Sequence, residues 1–136
     1  MVRPVMRDPL FLSRKSTPAA QEDLPVAQDL LETLRANSER CVGMAANMIG
    51  VSKRIIAVLN GPVTLVMLNP VIIRKEGPYQ TEEGCLSLDG VRPVQRFQTI
   101  EVTYQDLSMR PQKGNFQGWI AQIIQHEVDH CDGILI

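Results

Sequence analysis

The sequence predicts an α+β fold, with antiparallel strands packed around a C-terminal metal-binding helix and a second helix near the N-terminus. Three observations predict it. Apolar residues recur at three- and four-residue steps in one segment near each end of the chain. Between these segments lie runs of β-branched residues separated by turn signals. The later helical segment carries both of the chain's histidines, His126 and His130, four residues apart and therefore on one helix face.

Residues 1–22 are rich in Pro, Arg and small polar residues, with Leu10-Phe11-Leu12 as an apolar anchor. They are expected to form an arm over the surface of a single domain spanning 1–136. From Asp23 the stripe Leu24, Ala27, Leu30, Leu31 and Leu34 predicts a helix, with Pro25 in its first turn and an end near Arg40. Cys41 to Gly50 is a run of small and apolar residues that lets other groups approach the backbone. Residues 54–59 and 63–68 read as strands of a hairpin turning at Asn60-Gly61-Pro62. Residues 71–74 and 99–104 supply further strands, the second with half-buried alternation. A last helix should begin near Phe116 or Gln117, turn Ile120, Ile123, Ile124 and Val128 inward, and end at Gly133. No internal repeat interrupts this order.

With 14 basic and 15 acidic residues the net charge is −1, and no basic run offers a footprint for DNA or a membrane surface. No apolar run approaches the roughly 20 residues of a membrane span, and no signal-peptide stretch follows Met1, so a soluble cytoplasmic protein is expected. The three cysteines are odd in number and lack C-x-x-C spacing. That argues against a disulfide scaffold and against a four-thiolate zinc site.

The chemistry concentrates in Gln125-His126-Glu127-Val128-Asp129-His130. Two imidazoles on one face can share a metal ion, and Glu127 stands where H-E-x-x-H metallohydrolases place a carboxylate that handles protons for an activated water. A catalytic site of this type needs a third protein ligand. Cys85, in Glu82-Glu83-Gly84-Cys85-Leu86-Ser87, is the strongest candidate, because its thiolate would offset metal charge. Cys131 is a rival, but it points about 100° around the helix from His130. A zinc peptidase lacks a suitably placed third histidine or downstream glutamate, and a structural metal domain would close all four positions.

The ordered set Gly43-Met44-Ala45-Ala46, Glu83-Gly84-Cys85-Leu86-Ser87 and Gln125-His126-Glu127-Val128-Asp129-His130 resembles the peptide deformylase family, over nearly the whole chain from about Asp23. The resemblance implies removal of the formyl group from the N-terminal formylmethionine of nascent peptides. It implies one ferrous ion per chain, with zinc or nickel as alternatives, held by Cys85, His126 and His130. Glu127 would take and return the proton, and the Leu86 N–H would face the developing oxyanion. Arg92 would be the structural partner of Glu83, and Val42, Gly43 and Ile123 would border the methionine pocket.

The chain departs from the family pattern at two positions. Cys41 replaces the first glycine of the first motif, and Met48 stands where the family has a glutamine that donates to the oxyanion. A thioether has no proton to donate, and losing such a donor typically costs about 10²–10³ in rate. Asn47 is a candidate substitute amide if the loop is rotated by one residue. The expectation is therefore a deformylase of reduced rate; the alternative is a weak or inactive relative that binds metal and modified peptide N-termini. Many deformylases continue beyond the position of Ile136, so contact with the ribosome is expected to be transient at most.

Overall fold

Ile55, Ile56, Ala57 and Val58 are consecutive and all fully buried, which requires cover on both faces of one strand. A computed structural model, describing residues 1–85 and 87–136, shows what supplies it. Ile55 and Ala57 pack with Ala27, Leu30 and Leu34 of helix α2 (Leu24–Ala36). Ile56 and Val58 pack with Ala121, Ile124 and Val128 of helix α3 (Gly118–Cys131). The strand is thus the middle layer of a helix–sheet–helix stack.

The sheet is antiparallel, in the order β1 (Gly43–Ala45), β2 (Ile55–Asn60), β3 (Val63–Cys85), β4 (Leu88–Gln105), β5 (Pro111–Gln117). The expected hairpin is present: Asn60 pairs with Val63, and Gly61 takes the positive φ of 62° that a tight hairpin turn requires at its first central residue. The strands expected at 63–68 and 71–74 are one element that continues to Cys85, and the strand expected from 99 already begins at Leu88. Register shifts after Leu68, Ile72 and Gly84, together with Gly77-Pro78, break the period that a reader of sequence follows. Pairing between β3 and β4 holds the element together. β5 has no counterpart among the expected strands, because its polar sequence becomes a strand only by pairing with Thr99–Gln105.

Helix α2 stops at Ala36, short of the expected end near Arg40, because the Asn37 side chain donates to the Thr33 carbonyl at 2.8 Å and caps it. Helix α3 opens after Gln117, close to the expected start. The N-terminal arm contains a short helix α1 (Pro9–Leu12) whose Leu12 is fully buried while Leu10 stays exposed. It is stitched down by the Met6 N–H to the Met48 carbonyl (2.7 Å) and the Ser16 N–H to the Cys131 carbonyl (2.8 Å). Among the described residues no helix is long and apolar enough to cross a membrane.

Candidate metal centre

Helical spacing puts His126 and His130 on the face of α3 turned toward the sheet, where they are 8% and 0% exposed. Their Nε2 atoms are 3.2 Å apart. The long β3 strand delivers Cys85 at its end, with Sγ 3.2 Å from His130 Nε2. The three ligand atoms lie within 4.8 Å of one another, a spacing that a single ion can bridge. One soft thiolate and two imidazoles suit iron or zinc. Cys131 is fully buried in the apolar cluster beneath α3, and burial pushes its thiol up to about 12. Cys41 lines the adjoining pocket, where burial and then the Glu127 charge push its thiol to about 12. Neither belongs to the convergent group.

Polar groups of the surroundings favour a positive charge at this point. His126 Nδ1 is 2.8 Å from Glu83 Oε1. Burial works against a charged His126, but its contacts with Cys85 and Glu83 outweigh it and carry the imidazole up to about 10. Burial, then the charge of His126, holds His130 down to about 3. Glu83 and Cys85 thus favour a charge on His126, while burial keeps His130 neutral, the form in which an imidazole can ligate a metal.

Glu83 is itself buried, which alone would raise it, yet hydrogen bonds from His126, Arg96 and Gln122 bring it down to about 2. The expected partner, Arg92, does not make this pair. Arg92 stands opposite Glu83 in the β3–β4 ladder but donates to the Asp89 carbonyl at 3.4 Å. Arg96, on the same face and opposite Tyr79, donates to Glu83 through Nη2 at 2.7 Å and through Nε. Its Nη1 reaches Asp129 of α3 at 2.7 Å. Only at Arg96 can a guanidinium bridge the hairpin and the helix between two carboxylates, and that decides between the two arginines.

Glu127 lies beside the cluster, 3% exposed, with Oε1 lacking a protein partner. Burial raises its carboxyl to about 7. A carboxylate poised near neutrality can both take and return a proton. It borders a pocket of about 590 Å³ whose wall includes Val42, Gly43, Met48, Cys85, Ile123 and His126. Gly43 has to be glycine here: a Cβ would sit 2.7 Å from Ile123 Cγ2 and 2.9 Å from Glu127 Oε2.

Met48 is buried in the pocket wall, and its sulfur accepts from the Ala45 N–H at 3.4 Å. Asn47 does not substitute for the missing amide. In the 3-10 turn Ala46–Ile49, neighbouring side chains point about a third of a turn apart, so Asn47 faces away from Met48's pocket. Its Nδ2 donates to the His130 carbonyl at 2.9 Å. The expected role of Leu86 lies outside the described residues. Arg96 and Gln122 escaped the sequence reading because nothing local distinguishes them from surface polar residues.

Comparison with known proteins identifies the family and the fold. The family model described as polypeptide deformylase matches residues 3–136. A peptide deformylase of Clostridium beijerinckii is 54% identical over 136 residues, covering all of both chains. The crystal structure of peptide deformylase from Thermus thermophilus superposes with a TM-score of 0.88 at 36% identity, over 99% of this chain and 83% of that one. A Met-Ala-Ser-bound peptide deformylase from Acinetobacter baumannii gives 0.88 at 32% identity, over 99% and 97%. With a family model matched over nearly the whole chain, a relative matched over its full length and the fold shared, the chain belongs to the polypeptide deformylase family.

Proposed function

We propose that this protein hydrolyses the N-formyl group of formylmethionyl peptides, with Cys85, His126 and His130 holding one metal ion. The observation that carries this reading is the convergence of those three ligand atoms beside a buried, unpartnered Glu127 at the wall of a pocket. When bound, the ion supplies Lewis-acid polarisation and a water nucleophile usable at neutral pH. Ferrous iron is the first choice by family resemblance, with zinc or nickel as alternatives that the donor set also suits.

The residues of this chain do the rest. Glu127 accepts the proton of the attacking water on a carboxylate oxygen and returns it to the departing amine, leaving formate and a free N-terminus. Glu83 holds the His126 ring through Nδ1, so that Nε2 points at the cluster. Val42, Gly43 and Ile123 border the slot for the first side chain, and Gly43 lets α3 and Glu127 approach β1 closely. The tripeptide bound by the Acinetobacter baumannii relative has the chemistry of a deformylated product. The setting in this reading is the cytoplasm, on nascent chains, with transient ribosome contact.

A second reading rests on Met48. With no donor in the glutamine's place, the chain binds metal and formylated N-termini but hydrolyses them slowly or not at all. The deciding experiment loads the protein anaerobically with ferrous iron and measures formate release from a formyl-Met peptide beside Glu127→Ala. Turnover by the parent and loss of about 10²–10⁴ in the variant support the hydrolase. Metal bound at one per chain with no formate from the parent supports the binding protein.

A further inference from the structure

One polar side chain in the pocket wall is not accounted for by the chemistry above. Gln122 lies on α3 one turn before His126 and lines the pocket beside Ile123. Its Nε2 donates to Glu83 Oε2 at 2.8 Å, and its Oε1 accepts from the Tyr79 hydroxyl at 3.3 Å. Because the ionised Glu83 carboxylate can only accept, the NH₂ end of Gln122 must face it, which leaves Oε1 to accept from the Tyr79 hydroxyl. Glu83 Oε1 in turn contacts His126 Nδ1 at 2.8 Å. A continuous chain of contacts therefore runs from Tyr79 on β3, through Gln122 and Glu83, to one of the clustered imidazoles.

We infer that Gln122 is a positioning residue of the metal centre, fixing the carboxylate of Glu83 and through it the ring of His126. Arg96 grips Glu83 from the strand side as a two-pronged fork, with Nη2 on Oε1 at 2.7 Å and Nε on Oε2 at 3.0 Å. That fork anchors the carboxylate to β4. Gln122 adds a second donor to Oε2 from the helix side and ties the carboxylate to the helix that carries His126, so that Oε1 stays aimed at Nδ1 and the ring's Nε2 stays aimed at the cluster. An apolar residue of the same length would fill the pocket wall equally well but would leave Oε2 with Arg96 Nε, at 3.0 Å, as its one donor. Orientation of a ligating histidine by its second nitrogen is worth about 10–100-fold in metal affinity.

The inference rests on Cys85, His126 and His130 being the ligands, and the test separates the two claims. Parent, Gln122→Leu and Tyr79→Phe proteins are loaded anaerobically with cobalt(II). Stoichiometry, the visible absorption band and the rate of cobalt loss to a chelator are then measured, with circular dichroism to check folding. The expected result is one cobalt per parent chain, loss about 10-fold faster with a displaced band for Gln122→Leu, and a smaller change in the same direction for Tyr79→Phe. If Gln122→Leu does not fold, Tyr79→Phe decides alone. Parental rates and bands in the folded variants overturn the inference while leaving the ligand set standing. Failure of the parent to bind cobalt overturns the ligand set itself.

Discussion

Replacing Arg96 with methionine keeps the length and much of the packing of the side chain but removes a guanidinium held between two carboxylates. The Arg96 and Glu83 side chains are 5% and 8% exposed, so little water is available to take over. Asp129, 25% exposed, can rehydrate. Glu83 would keep only His126 and Gln122. Breaking a buried pair from one side costs about 3–5 kcal/mol. At an unfolding entropy of about 2.1 cal/mol/K per residue, 136 residues convert that cost into a Tm lower by about 10–17 °C. Thermal unfolding followed by circular dichroism, with metal and after chelation, measures the loss and separates it from loss of the ion. Arg92→Met is the matched control and should change stability by no more than about 0.5 kcal/mol, since its hydrogen bond is long and exposed. Equal effects of the two substitutions, or a cost below about 1 kcal/mol for Arg96→Met, would refute the assignment of Arg96 as the partner of Glu83.

Other outcomes follow from the same geometry. Because Glu83 is depressed in the folded protein, its contribution is fully present above pH 4.5 and is lost as pH falls toward 2; Glu83→Gln should flatten that acid limb of Tm against pH in the chelated protein. Met48→Gln restores an amide donor to the pocket wall and should raise formate release by about 10²–10³; an unchanged rate means that the site already has its donor. Gly43→Ala drives a methyl group into Ile123 and Glu127 and should cost about 1–3 kcal/mol in stability along with most of the activity, which a denaturant melt and a formate assay would register together.

His126, Glu127 and His130 were legible because a helix converts spacing of one and four residues directly into position, with no knowledge of the rest of the fold. The same holds for the α2 stripe and for the Asn60–Val63 turn, where short-range sterics decide. Cys85 could be singled out by its glycine neighbour and by the family resemblance, but its place 3.2 Å from His130 depends on a strand that runs unbroken from Val63. That strand was hidden because its glycines, prolines and bulges erase the two-residue period, and only pairing with β4 restores it. The choice of Arg96 over Arg92 was hidden as well. Both lie on the same face of β4, and what separates them is Asp129, 33 residues away on α3. Asn47 and Gln122 follow the same rule: Asn47 was a candidate oxyanion donor in sequence and Gln122 an ordinary polar residue, and each acquired its role from a carbonyl or a carboxylate brought from far along the chain. Local periodicity by itself determined the helices, the turn and the His-Glu-His constellation. Tertiary pairing alone decided which arginine, glutamine and asparagine hold that constellation in place, because a buried charge or carbonyl takes whichever partner the fold brings within hydrogen-bonding distance.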